Sequence, residues 1–332
     1  MTSVRQRATA AAVPVWLDLG DGTAEPGRQA ALAAGHRIAG AAVGPDATVT
    51  AARKACDDFR GLHEETLGRR GIVVLGAEVF PERGTSELVH RAGSLADGTD
   101  RPNTAVALPS NDAGLAAMGV LLDRGLPVQL ATCFSARRYE QAAAVYLAAL
   151  ERAVAEGRDP GRLASTVAFG LRPLDIRVDA LLDRAGSAEA KALRGTAALT
   201  AARLAHATFA RLFDPARSPA WRTLAAGGAR PLRLVWSELG DSAAGAAEHR
   251  TRYTAGLATA DTAVAVPLGA LGTVAGLRPR LRPPHGARAA AEHLDACLSW
   301  FGIGAREVAR ELEGEPAQLR AQARTLVRGG VA

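Results

Sequence analysis

Short apolar runs of four to eight residues recur along this chain, and longer stretches with apolar positions three and four apart lie between them. The runs Val13–Asp18, Ile38–Val43, Ile72–Val79, Thr104–Leu108, Val128–Cys133, Thr166–Leu171, Leu232–Trp236 and Thr262–Val266 read as strands. The helical spacing is clearest in Ala113–Asp123, Tyr139–Glu156 and Ala188–Phe213, and a GRDPG turn separates the second of these from the next strand. Beyond Pro284 the pattern predicts two more helices, Ala289–Trp300 and Ala305–Val327. Parallel strands need crossover helices, and eight of them close without a free edge. The alternation therefore predicts one α/β unit, a (β/α)₈ barrel over residues 1–284, with residues 285–332 as C-terminal helices packed on it. An open doubly wound sheet is the alternative. No strand is followed by G-x-G-x-x-G or a P-loop, and Gly302 and Gly304 in WFGIGAREV read as a helix junction.

Composition narrows this picture without changing it. With 332 residues, 48% hydrophobic and only 4% aromatic, the apolar content is mostly Ala, Val and Leu, enough to bury a core and unlike a disordered chain. Cys56, Cys133 and Cys297 lie far apart with no C-x-x-C spacing, which excludes a zinc knuckle or a cystine framework and fits a reducing cytoplasm. The net charge of +6 rests almost entirely on arginine, since Lys54 and Lys191 are the two lysines. Acidic residues are interspersed among the arginines, so no nucleic-acid surface is expected. No apolar run approaches the roughly 20 residues that span a bilayer. The apolar stretch near the start ends at Asp18 and Asp21 without an A-x-A pattern and does not read as a signal peptide.

Three segments carry a resemblance to a known family: RPNTAVALPSNDAGLAAM, GLPVQLATCFSARRYEQAAAVYLAALERA and GRLASTVAFGLRPLDIRVDALLD. Weaker echoes are VPVWLDLGDG, VVLGAEVFP, GTAALTAARLAHATFARLF and GARPLRLVWSELGD, in the same order. The chain resembles the transaldolase family, specifically its long bacterial and plant-type members. That resemblance implies a (β/α)₈ barrel with its chemistry at the C-terminal ends of the strands.

The resemblance also implies a Schiff-base lysine on the fourth strand, in a motif like IKIPAT. Here the segment reads VALPSN, and Ala107 occupies the lysine position. The fifth-strand threonine falls at Ala131, the asparagine of the second-strand S-N-P segment at Gly44, and the sixth-strand Ser-Arg pair at Arg172 and Pro173. Where the family has a small polar segment on the seventh strand, this chain has Ser237, Glu238, Leu239 and Gly240. A carboxylate there repels a phosphate. Two positions match: Asp18 falls on the first-strand aspartate and Glu78 on the third-strand glutamate. In the family these carboxylates move protons, so Asp18 and Glu78 are the candidate acid and base.

A positioned acid or base contributes about 10²–10⁴ in rate, whereas cleaving a ketose carbon–carbon bond through an iminium also needs an amine. The expectation is therefore a repurposed, lysine-independent lyase, isomerase or cyclase acting on a carbonyl or polyhydroxylated small molecule in specialised metabolism. Arg172, Glu238, Ser110, Asn111 and Gln129 are the candidate substrate-binding residues. A catalytically silent binding or scaffold barrel is the alternative, with inherited carboxylates tied up by arginines, and a transaldolase with a displaced lysine comes last. Cys133 reads as a buried strand cysteine, with a nucleophile as the lesser reading. No histidine pair has metal spacing, so no cofactor or metal is expected; Asp18, Glu78 and Glu238 together are the one candidate hard-cation set. No membrane partner is expected, and homodimer formation is left open.

Overall fold

A computed structural model describes residues 13–20, 37–76, 84–239, 246–274 and 286–315. Its strands are β1 (Val15–Asp18), β2 (Ile38–Val43), β3 (Ile72–Leu75), β4 (Thr104–Leu108), β5 (Val128–Cys133), β6 (Thr166–Gly170), β7 (Arg233–Ser237) and β8 (Ala263–Pro267). All neighbouring pairs are parallel, and β8 pairs with β1, so the ring is closed. The helices are α1 (Val49–Glu65), α2 (Thr85–Thr99), α3 (Asp112–Asp123), α4 (Ala136–Ala155), α5 (Arg172–Ala185), α6 (Ala188–Ala192), α7 (Ala197–Phe213), α8 (Pro219–Ala226), α9 (Ala246–Leu257), α10 (Ala287–Trp300) and α11 (Ala305–Gly314). The chain is thus a (β/α)₈ barrel with additional C-terminal helices.

Alternation along each strand sorts side chains between two cores. Val106, Leu108, Leu130, Val167, Phe169, Leu234 and Trp236 face outward into the layer shared with the helices. Trp16, Ile72, Val74, Ala105, Ala107, Val235 and Ala263 face inward and fill the barrel. The inward set is dominated by alanine, and the Trp16 indole supplies the bulk that those methyl groups lack. Buried polar groups pin the outer layer: the Asn103 amide donates to Cys56 O (2.8 Å) and Gly71 O (3.0 Å), and Tyr139 OH donates to Leu232 O (2.7 Å).

Strand positions read from alternation hold to within two residues at most ends; of Ile72–Val79, Ile72–Leu75 is strand, and residues 77–79 lie outside the described residues. The single helix expected over Ala188–Phe213 is two, α6 and α7. The chain turns between them because Gly195 adopts φ +69°, a region that penalises any side chain, and its N–H is held by Asp179 Oδ1 at 2.7 Å. The helix expected from Ala305 is seen as far as Gly314, and its expected continuation lies outside the described residues. Among the described residues no helix is long and apolar enough to cross a membrane.

Candidate active site

The C-terminal ends of the strands form one rim, and β1 ends on Asp18. Its carboxylate is exposed, and Oδ1 accepts the Gly20 N–H at 3.0 Å. Among the described residues Asp18 forms no ion pair, so no arginine neutralises it there. Glu78 lies outside the described residues. So does any test of the Asp18, Glu78 and Glu238 set as a whole; among the described residues no three His, Cys, Asp or Glu side chains gather to hold a metal.

On β4, Ala107 faces inward and is 3% exposed. The strand register sets Gln129 of β5 beside it. The buried Gln129 amide donates to Thr166 Oγ1 on β6 at 2.9 Å, so it lines the barrel with one donor already committed. Lys54 lies on α1 and Lys191 on α6, both at exposed positions of outer helices.

Two of the expected binding residues do structural work. Ser110 is buried, and its hydroxyl donates to Thr132 O at 2.5 Å, tying the end of β4 to that of β5. Asn111 is the N-cap of α3, its side-chain oxygen accepting the Gly114 N–H at 2.9 Å. Both stand at the rim because the strand-to-helix turn needs them.

Arg172 opens α5, and its backbone N–H donates to Glu238 O at 2.9 Å. The guanidinium is half-buried and makes no hydrogen bond or ion pair among the described residues, which leaves its planar fork open to an acceptor. Glu238 follows β7 with φ +51°, and its Oε1 accepts the Thr132 hydroxyl at 3.1 Å. That bond reaches from β5 to β7 over the end of β6, where the chain has Gly170. A Cβ on Gly170 would lie 2.3 Å from the Phe134 ring and 2.7 Å from Thr132 Cγ2. Gly170→Ala is therefore expected to destabilise the fold by about 1–3 kcal/mol through overpacking, measured by denaturant titration. An unchanged midpoint would show that the rim yields freely there.

Reading the sequence missed four participants. Ser237 ends β7 facing inward, and its Oγ is buried without a hydrogen-bond partner; so is Nε1 of Trp16. Val235 pairs with Ala263 and Ala265 with Trp16, so Ser237 and Trp16 stand on the two strands flanking the methyl group of Ala265. Two donors are thus buried on either side of an apolar spacer. Below the rim, Tyr253 OH donates to Asp175 Oδ2 at 2.5 Å, and Asp175 Oδ1 accepts the Ala198 N–H at 2.8 Å. Burial pushes the Asp175 carboxyl up, and this pair joins α5, α7 and α9. Ser237 was visible in sequence as a polar residue in an apolar run. The other three were not, because nothing local says that the Trp16 N–H lacks a partner or that Tyr253 and Asp175, 78 residues apart, find each other.

Cys133 is fully buried, and burial followed by the charge of Glu313 pushes its thiol well above the ordinary range, which suits a structural cysteine. Glu313 itself reaches from α11 to the end of β5, so the C-terminal helix docks at the same rim.

The family model described as Transaldolase/Fructose-6-phosphate aldolase matches residues 31–227. A transaldolase of Parafrankia sp. (strain EAN1pec) is 35% identical over 191 residues, covering 57% of this chain and 51% of that protein. A transaldolase of Thermobifida fusca (strain YX) is 34% identical over 269 residues, 79% of this chain and 70% of its own length. That of Mycobacterium tuberculosis (strain ATCC 25618 / H37Rv) is 32% identical over 224 residues, 64% and 60% respectively. The match to the first of these, and to a Frankia alni transaldolase, spans about half the length of those relatives.

Proposed function

The chain belongs to the transaldolase/fructose-6-phosphate aldolase family, and from that premise we propose that it is an enzyme of altered chemistry, moving protons on a carbonyl or polyhydroxylated small molecule without a Schiff base. The observation that carries this reading is the methyl group of Ala107 on the inner wall, with both lysines on outer helices. An iminium needs a primary amine within bonding distance of the carbonyl carbon, and Ala107 supplies none.

Asp18 is the base. Its exposed carboxylate removes the proton from the carbon next to the substrate carbonyl, and the electron pair moves into the carbonyl to give an enediolate. Glu78 is the matching acid, delivering a proton to the developing oxyanion or to a leaving hydroxyl. From there the enediolate collapses by reprotonation at the neighbouring carbon or by loss of a β-hydroxyl as water, the isomerase and dehydratase outcomes; in the retro-aldol outcome Asp18 instead takes the proton of the β-hydroxyl, the Cα–Cβ bond breaks into the carbonyl, and Glu78 protonates the enediolate that results. Arg172 holds an anionic or polar end of the substrate, and its fork is open for that task. Ser237 O–H and Trp16 N–H donate to substrate oxygens, and the uncompensated burial of both favours a ligand that accepts them. Glu238, held by Thr132, accepts from a substrate hydroxyl and disfavours a phosphate nearby. Three free thiols suit a reducing cytoplasm.

The direct test is reductive trapping. Sodium borohydride added with fructose 6-phosphate is expected to leave the intact mass unchanged. An adduct on Lys54 or Lys191 would restore transaldolase chemistry with a displaced amine. A silent binding barrel is the second reading, favoured by the commitment of Ser110, Asn111 and the Gln129 amide to internal hydrogen bonds.

A further inference from the structure

The opposite end of the barrel gathers arginines. Arg233 is the first residue of β7, paired in register with Thr166 and sharing the inward parity of Val235, so it enters the barrel at its N-terminal end. Arg37 directly precedes β2, and its carbonyl accepts the Val15 N–H. Arg70 stands just before β3, with Nε donating to Ile38 O at 2.5 Å. Arg230 leads into β7 and donates through Nη2 to Leu67 O, in the segment before β3. Strands β3 and β7 lie opposite each other in the ring of eight, so this bond carries the 66–70 segment across the barrel floor.

These cations are undercompensated. Nε and Nη1 of Arg230 are buried without a hydrogen-bond partner. Among the described residues the Arg233 guanidinium makes no hydrogen bond, and none of the four arginines forms an ion pair. The nearby carboxylates act only at longer range: Asp261 on Arg233, Glu65 on Arg70 and Asp159 on Arg230. Burial, followed by the like charge of Arg37, brings Arg233 down to about 10, with Arg230 and Arg70 adding to the repulsion. Four guanidinium groups held together with donors to spare are stabilised by an anion that accepts from several of them.

We propose that the N-terminal floor of the barrel binds a small oxyanion of the phosphate type, held by Arg37, Arg70, Arg230 and Arg233, at a site separate from the C-terminal rim. A small ligand fits better than a polyanionic chain, because the four arginines are half-buried at one end of the barrel, with Arg37, Arg70 and Arg230 each close enough to act on Arg233, rather than forming an exposed stripe. Planar guanidinium forks suit a tetrahedral oxyanion, which accepts from two of them at once. The five residues of β7 set the floor about 15 Å from the rim, so one small anion does not contact both Arg233 and Glu238.

The test is calorimetric titration of the full chain with inorganic phosphate, against sodium chloride of matched ionic strength. Saturable binding of one phosphate is expected, weakened about tenfold or more in Arg233→Met and in Arg230→Gln. Arg37→Gln, at the edge of the floor, gives a second measurement should the more buried variants fail to fold, and is expected to weaken binding in the same direction. Arg172→Ala, at the opposite end, is expected to leave the affinity unchanged. Absence of saturable binding beyond the chloride control overturns the proposal. So does binding that disappears in Arg172→Ala and survives in the floor variants, which would put the anion at the rim.

Discussion

Asp18→Asn is expected to slow exchange of the α-carbon protons of dihydroxyacetone or fructose 6-phosphate with D₂O by about 10²–10⁴-fold, the range a positioned acid or base contributes. The substitution is close to isosteric. Among the described residues the Asp18 carboxylate accepts the Gly20 N–H, which an asparagine side-chain oxygen accepts equally well. Asp18 is also exposed and lacks an ion pair among the described residues, so the thermal midpoint should hardly move. A fall in exchange without a fall in stability is what distinguishes a base from a structural carboxylate. Proton NMR in D₂O reads the exchange directly, as loss of the α-proton signal. If the unmodified chain exchanges neither compound above the buffer rate, the acid/base reading fails for these ketones and the silent binding barrel takes its place.

Glu313→Ala is expected to remove about 2–4 kcal/mol of stability, the magnitude for stripping a buried, hydrogen-bonded charge from its partners. Glu313 Oε1 accepts from the Phe134 N–H and the Ser135 hydroxyl, both at 2.9 Å, and Arg138 approaches Oε2 at 3.4 Å. The carboxylate caps the start of α4 from another helix, where the peptide dipoles favour negative charge. Without it the Phe134 N–H is buried with no acceptor, and α11 loses its polar anchor to the rim. Arg138 retains Asp112 at 2.7 Å, which limits the loss. Chemical denaturation at neutral pH measures the effect.

The pH dependence has a definite sign. Burial pushes the Glu313 carboxyl up despite the opposing hydrogen bonds and Arg138. A carboxyl that holds its proton more tightly when folded stabilises the fold below the ordinary carboxylate range, and that contribution is lost as pH rises through the folded value. Glu313→Gln keeps an acceptor for Phe134 and Ser135 but cannot ionise. The unmodified chain should therefore lose stability relative to Glu313→Gln as pH rises from about 4 toward neutrality. A difference that runs the other way would mean that Arg138 and the helix dipole outweigh burial.

Legibility of the site from sequence varied with how local each feature is. Asp18 at the end of β1 follows from the end of an apolar run; Ala107 was singled out by the resemblance, and only the barrel shows that it faces inward. Arg172 at the start of α5 follows from the end of an apolar run. Ser110 and Asn111 were expected to bind substrate, and the partners that the structure gives them, Thr132 O and the Gly114 N–H, were not legible in the sequence. Gln129 was expected to face a ligand, and its amide is turned to Thr166.

What the sequence determined by itself was periodicity and identity: eight apolar runs with crossover segments between them, a carboxylate closing the first, and an alanine near the end of the fourth. Alternation is a property of neighbours in the chain, so it survives being read in one dimension. Only the closed ring decided which polar groups are satisfied. Thr132 meets Glu238 across β6, Glu313 meets Phe134 at the rim, and Arg230 meets Leu67 beneath the barrel. These partners are more than a hundred residues apart, and they depend on closure and register, which each fix a distance that no local pattern encodes.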